Sequence, residues 1–260
     1  MALIVLSEKI GPLEVLTYLV ACPETGEALV VDPGGPAPML QGKLGQEGWR
    51  LRWIVNTHGH ADHIAGNDLW ADRTGAPVVM HRLDAEFFRR PEMQAQARAE
   101  GFPPLSRVDL PVEDGHLLPL GNWQAQVLHT PGHTPGAFCL YFPGHLFTGD
   151  TLFVEAAGRT DLPGGSLEQL IQSLEEKIMP LPDDTRIWPG HDYGGVAAST
   201  LGKKNSITPT SPISFSPDQA SDCQEPGGPG FPACDKKFRF LRSLRKSFLP
   251  CPEVRPIKPG

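Results

Sequence analysis

The chain has 260 residues, with 23 basic against 30 acidic side chains and a net charge of −7, enough for one sizeable core or two small domains. The charge is uneven: residues 1–200 hold 13 Lys and Arg against 25 Asp and Glu, a net of −12, and residues 201–260 hold 10 against 5, a net of +5. An acidic body repels phosphate, which makes it a poor candidate for a nucleic-acid enzyme, and no nucleic-acid partner is expected. No apolar run reaches the ~20 residues of a membrane span, and five scattered cysteines without a CxxC fit a reducing compartment better than a disulfide framework. The opening apolar run is interrupted by Glu8 and Lys9 and has no basic stretch before it, so no targeting segment or membrane partner is expected and the expected location is the cytoplasm.

In chain order, residues 3–6, 13–21 and 28–32 read as strands, followed by a longer approach through Leu51 to Val55. That approach runs into Thr57-His58-Gly59-His60-Ala61-Asp62-His63, three imidazoles and one carboxylate within six positions. A strand ending in such a cluster delivers several side chains to one edge of a sheet, and the mixture of imidazole and carboxylate suits divalent metals. Residues 63–73 are expected to form a short helix ending near Gly75, and residues 77–81 a strand. Residues 84–100, rich in Ala, Glu, Gln and Arg, read as one exposed helix whose charge is a solvated face.

Residues 123–128 alternate Trp-Gln-Ala-Gln-Val-Leu, the period-two pattern of a half-buried strand, and run into His129-Thr130-Pro131-Gly132-His133-Thr134-Pro135-Gly136. Residues 137–142 and 145–148 predict a hairpin about Pro143-Gly144, its second arm ending in Gly149-Asp150. Residues 166–179 predict a helix. Ser166 caps its start, Gln169 is placed to return the bond, and Leu167, Leu170, Ile171, Leu174 and Ile178 form one apolar stripe. Arg186-Ile187-Trp188 then precedes Pro189-Gly190-His191-Asp192-Tyr193-Gly194. Four strand ends thus carry His or Asp beside Gly or Pro, which let the backbone turn tightly.

After Lys203 the composition changes: 10 of the 28 prolines, Ser and Thr runs, and Pro226-Gly227-Gly228-Pro229-Gly230. Disorder is expected to about Ala233, with a basic segment at 236–249. The domain reading is therefore a body at 1–203 and an irregular tail at 204–260.

The motifs THGHADH, TPGHTPG, TGD and PGHDYG, in this order, resemble the metallo-β-lactamase superfamily and within it the glyoxalase II-like hydrolases and their persulfide dioxygenase relatives. The resemblance runs from about residue 13 to residue 203. It also takes in Val30-Val31-Asp32-Pro33-Gly34 and Gly158-Arg159-Thr160-Asp161. It implies an α/β fold, an αββα sandwich with metal ligands along one edge. It also implies two adjacent divalent metal ions, zinc first and iron second: His58, His60 and His133 on one, Asp62, His63 and His191 on the other, and Asp150 bridging. Asp62 and Asp150 are the residues assigned to catalysis. Two cations about 3.5–4 Å apart share a carboxylate and a water and bring that water's pKa towards neutrality, so that the resulting bridging hydroxide can attack a carbonyl.

Asp32 and Asp192 are expected to accept the outer N–H of ligand imidazoles, with a plain strand-end turn as the other reading of Asp32. Arg159 either pairs with Asp161 or faces a substrate carboxylate, and Tyr193 either touches substrate or fills space. His129 points away from the cluster, His81 and His116 are surface or locally hydrogen-bonded groups, and His145 lies in the hairpin turn.

The resemblance implies hydrolysis of a small-molecule thioester of the S-lactoylglutathione kind. A thiolate leaving group needs no strong general acid. Where glyoxalase II has a helical C-terminal domain this chain has the Pro/Gly-rich tail, and where it has a Lys and Tyr after the bridging aspartate this chain has Gly158-Arg159-Thr160-Asp161. The alternative is a persulfide dioxygenase holding a mononuclear iron through His58, His133 and Asp150. Those enzymes have alanine before the last histidine, whereas this chain has Gly190, the hydrolase form. A vestigial scaffold would lack at least one ligand, and all seven residues are present.

Overall fold

The computed structural model describes residues 2–154, 156–193 and 199–204. The tail beyond 204, and with it the expected disorder and the basic segment, lies outside the described residues. Twelve strands among those residues form two six-stranded sheets. The first consists of β1 (Ile4–Ile10), β2 (Val15–Cys22), β3 (Glu27–Val31), β4 (Arg50–Val55), β5 (Val78–His81) and β6 (Leu110–Val112), in that spatial order. Its first three strands pair antiparallel and the rest parallel. The second holds β7 (Leu117–Leu120), β8 (Trp123–His129), β9 (Phe138–Phe142), β10 (His145–Gly149), β11 (Arg186–Pro189) and β12 (Ser199–Thr200), in spatial order, with only β10–β11 parallel.

Side-chain alternation along these strands sorts the layers. Tyr18, Val20, Leu29, Val31, Val55 and Val79 face Leu118, Val127, Phe138, Leu140 and Phe147 in the core between the sheets. On β2 and β3 the intervening residues Leu19, Ala21, Ala28 and Val30 point outward. There they pack under Leu40 and Leu44 of α1 (Pro38–Gln46) and Trp70 of α3 (Asn67–Thr74). On the other side Cys139, Leu146 and Ile187 meet Leu170 of α6 (Leu167–Ser173) and, in the turn that prolongs it, Leu174 and Ile178. Helix, sheet, sheet, helix is the resulting order, the αββα sandwich.

Several local expectations need correction. Helix α1 has no counterpart in the sequence reading: two glycines in nine residues argue against a helix, and packing of Leu40 and Leu44 on the sheet overrides propensity. The helix expected at 63–73 is two, α2 (Ala61–Ile64) and α3, broken at Gly66. The Gly66 N–H leaves the helical ladder to donate to the Pro33 carbonyl at 2.7 Å. Gly75 does end α3, in the left-handed region at φ 70°. The long helix at 84–100 also splits, into α4 (Arg82–Phe88) and α5 (Pro91–Ala99), because the residue before Pro91 is driven extended. Ser166 caps α6 through the Gln169 N–H, but its own N–H donates to the Gly132 carbonyl at 2.8 Å, so the reciprocal bond is not made. The stretch Leu174–Ile178 winds as a π-helical turn.

Candidate metal centre

Ligand-type residues collect where the C-terminal ends of β4, β8, β10 and β11 meet. After β4, Asn56 and Asn67 exchange two buried side-chain hydrogen bonds, 3.0 and 2.8 Å, which tie the strand end to α3. Thr57, buried beside them, donates its N–H and its hydroxyl to Asp32, each at 2.7 Å. His58 and His60 follow in the loop, and α2 begins at once, so Asp62 and His63 occupy its first turn. His133 lies in the loop after β8, Asp150 directly after β10 and His191 just beyond β11.

Two trios form. His58, His60 and His133 make one and Asp62, His63 and His191 the other, the ligand atoms within each lying no more than 4.8 Å apart. In the second trio the separations are 3.2 Å for His63 Nε2 to His191 Nε2, 3.7 Å for His63 Nε2 to Asp62 and 3.6 Å for His191 Nε2 to Asp62. The edge of a tetrahedron around a zinc ion with ligands at about 2.0–2.1 Å is about 3.3 Å, so these separations match. In the first trio His133 Nε2 lies 2.9 Å from His60 Nδ1. Asp150 spans both: Oδ1 is 3.5 Å from His63 Nε2, and Oδ2 is 3.6 Å from His133 Nε2 and 3.7 Å from His191 Nε2. A third grouping by distance, Asp32 with His58 and His63, is not a separate site, because Asp32 is already engaged by Thr57 and by His63 Nδ1 at 3.0 Å.

The donor set fits divalent cations. His58 Nε2 and Asp150 Oδ1 are buried with no hydrogen-bond partner, a state that costs about 1–3 kcal/mol per group and that cations held at the two trios would relieve. Burial pushes His58, His60 and His133 down, His58 and His60 far below the usual imidazole range, so all three present neutral lone pairs. Burial also opposes a charge on His63. Asp62, Asp150 and Asp32 outweigh it and push His63 up to about 10, so the second trio is where positive charge is stabilised. Burial would raise Asp62, but His63, His191 and His60 hold its carboxyl well below the usual range.

The outer nitrogens of the imidazoles are held as well. His63 Nδ1 pairs with Asp32, His133 Nδ1 with the Arg159 carbonyl at 2.7 Å, and His191 Nδ1 with the Leu13 carbonyl at 3.0 Å. Asp192 does not hold His191: its carboxylate lies 3.1 Å from Lys9 Nζ, and the His191 Nδ1 is taken by the Leu13 carbonyl. Asp32 accommodates its contacts at φ 48°, a left-handed conformation uncommon outside glycine. The Arg159 guanidinium is paired with Asp161 by bonds of 2.8 and 2.7 Å. Tyr193, 57% exposed, stacks on His191 with centroids 5.1 Å apart.

Of the other histidines, His129 turns away, bonding the Pro135 carbonyl and stacking on His81 at 4.1 Å. Of the two readings of His81, surface or locally hydrogen-bonded, the second holds: it is buried and accepts from the Leu83 N–H at the start of α4. His145 stacks on Trp188. The sequence reading missed Asp84. Placed on a solvated helix face, it is in fact fully buried and accepts hydrogen bonds from Gly59, Thr134 and Gly136. Its one sequence signal is that it follows the β5 strand end closely, as the other site carboxylates do theirs.

The sequence model of the metallo-beta-lactamase superfamily matches residues 10–191. Human persulfide dioxygenase ETHE1, mitochondrial, is 36% identical over 197 residues, 74% of this chain and 70% of that protein. Hydroxyacylglutathione hydrolase of Polaromonas sp. is 37% identical over 180 residues, 68% of this chain and 61% of that protein, so the chain spans under two thirds of that relative. Among solved structures, TTHA1623 in a di-iron-bound form superposes with a TM-score of 0.64 at 34% identity, covering 76% of this chain and 95% of the other.

Proposed function

The chain belongs to the metallo-beta-lactamase superfamily, and from that premise we propose that it is a two-metal hydrolase of a small-molecule thioester, of the hydroxyacylglutathione kind. The observation that carries the reading is the position of Asp150, whose Oδ2 lies within 3.7 Å of a histidine nitrogen of each trio while Oδ1 lies 3.5 Å from His63 of the second. Bound there, two divalent cations would acidify a water held between them and stabilise negative charge developing on a carbonyl oxygen. Zinc suits the nitrogen-rich donor set, and the di-iron neighbour supports iron as the other candidate.

The rest is the work of the chain's own residues. Neutral His58, His60 and His133 leave their lone pairs free, and the outer-nitrogen bonds of His133, His63 and His191 fix those rings. Asp62, held ionised, contributes charge and is a poor proton acceptor. A thiolate departs without a strong acid, since a thiol's pKa is only about 8.5. Tyr193, exposed and stacked on His191, offers an aromatic face to an acyl or peptide-like thiol at the mouth. For Arg159 to hold a substrate carboxylate, that carboxylate must displace Asp161.

A second reading, persulfide oxidation with one iron, is supported by the identity to the human dioxygenase over a larger share of its length. Metal content measured beside two assays separates the two. About two metals per chain with oxygen-independent cleavage of S-lactoylglutathione supports the hydrolase; one iron with oxygen uptake on glutathione persulfide overturns it. A cytoplasmic location remains part of this reading; among the described residues no helix is long and apolar enough to cross a membrane.

A further inference from the structure

Asp84 sits in the first turn of α4 with no exposed surface, and it touches neither trio. Its Oδ2 accepts from the Gly59 N–H at 2.9 Å and the Thr134 hydroxyl at 2.7 Å, and its Oδ1 accepts from the Gly136 N–H at 2.5 Å. Gly59 lies between His58 and His60, and Thr134 immediately follows His133. One carboxylate therefore ties together the two chain segments that carry the first trio.

The approach is close on both sides. A Cβ on Gly59 would collide with the ring of Phe88 in the same helix, and one on Gly136 would lie 2.5 Å from the Asp84 nitrogen. The His81–His129 stack and the His129 bond to the Pro135 carbonyl bind the start of α4 to the His133 loop a second time. Among the described residues no cationic side chain pairs with Asp84, so its acceptors are spent on loop backbone and one hydroxyl. Asp32 is placed differently: it pairs directly with His63 Nδ1 of the second trio and, through Thr57, whose hydroxyl lies 3.1 Å from His58 Nδ1, it also borders the first.

We propose that Asp84 is the positioning residue of the first cation site and of that site alone. The proposal rests on reading the two trios as cation sites. Ligands must be held within about 0.5 Å of a productive geometry, and the distance from His58 and His60 to His133 is set by two loops that, besides Asp84, are joined at their base by the Phe138 N–H donating to the Thr57 carbonyl at 2.9 Å. Asparagine at 84 keeps the shape but turns an amide N–H₂ towards a backbone N–H donor, that of Gly136 or that of Gly59, so at least one of the three bonds that join the loops is lost.

The test is zinc binding, read by competition with a chromophoric chelator, in two backgrounds. Asp62→Ala leaves the first trio intact, and His60→Ala leaves the second. Asp84→Asn should weaken zinc about 10–100-fold in the Asp62→Ala background, the usual effect of removing a partner behind the ligands, and change it less than about 3-fold in the His60→Ala background. Equal weakening in both backgrounds, or none in the first, overturns the proposal. Should Asp84→Asn lose its folded circular dichroism, Thr134→Val decides. It removes one donor to the same carboxylate: a several-fold loss confined to the first trio supports the inference, and an equal loss in both or no loss refutes it. Wild-type protein holding one zinc instead of two would sink the two-trio reading, while the Asp62→Ala pair would still judge Asp84.

Discussion

Gly190→Ala puts pressure on the shared carboxylate without deleting a ligand. The glycine does not need a positive φ, so alanine is tolerated by the backbone and the perturbation is one of contact. A methyl there would collide with Asp150 Oδ1 and lie 2.7 Å from His63 Cε1 and 3.1 Å from the Gly149 carbonyl carbon. The backbone cannot retreat, because the Gly190 N–H donates to the Gly149 carbonyl and its own carbonyl accepts from the Leu16 N–H, both at 2.8 Å. The carboxylate must therefore swing away from His63. Overpacking of this kind costs about 1–3 kcal/mol, and each kcal/mol lowers Tm by about 2–4 °C for a chain of this size, so a drop of about 5 °C is expected by calorimetry. The larger effect is at the site: zinc content should fall from about two towards one per chain. Thioester kcat/KM should fall about 10²–10³-fold, the loss of roughly 3–4 kcal/mol of transition-state stabilisation. Two zinc ions with undiminished turnover would refute the shared role of Asp150. Alanine is also the residue expected here in the one-iron dioxygenases, so the same variant loaded with iron should be assayed for oxygen uptake.

Other outcomes follow from the same geometry. Asp150→Ala should abolish turnover under either functional reading, and full activity would remove its assigned role. Asp62→Ala should cripple a two-metal hydrolase about 10²-fold or more but affect a one-iron enzyme less, which steady-state kinetics with both substrates would show. Chelation should lower Tm by about 10 °C, since a cation at 1,000 times its Kd adds about 4 kcal/mol; an unchanged melting curve would deny that the trios bind metal. His81, buried against His129, is pushed down to about 4, chiefly by burial and then by His129. Its unfolded value is about 6.5, so this contribution is complete above pH 6.5 and is lost as pH falls towards 4. It amounts to about 3 kcal/mol at most. Urea denaturation of metal-free protein at pH 7 and pH 4.5 should show a smaller acid loss in His81→Asn than in the wild type, and equal losses would contradict the assignment.

What could be read from the chain divides along physical lines. Ligands such as His58, His60 and His63 stand out because a strand end followed by a tight turn concentrates them in consecutive positions, and His133, Asp150 and His191 repeat that arrangement at three other strand ends. Alternation along residues 123–128 located β8, since its inward residues face a common core. Asp84 was hidden because its neighbours are charged and its burial depends on loops 25 and 50 residues distant in sequence. Asp192 misled for the opposite reason: adjacency to His191 says nothing about which way the next side chain turns, and a backbone carbonyl, that of Leu13, holds the ring instead. Carbonyl acceptors carry no residue identity, so neither that bond nor the one from His133 to Arg159 leaves a trace in the sequence. Helix α1 was missed because packing made it, against the preference of its glycines.

The first sheet is built from residues before 113 and the second from residues after 116. Each trio draws two members from the earlier half and one from the later. A nascent polypeptide emerging from the ribosome thus displays four donor side chains yet owns no finished chelate until its remaining strands have docked. Capture of a cation by either trio would therefore wait for the second sheet to dock, and a fragment that stops short of it would lack the third ligand.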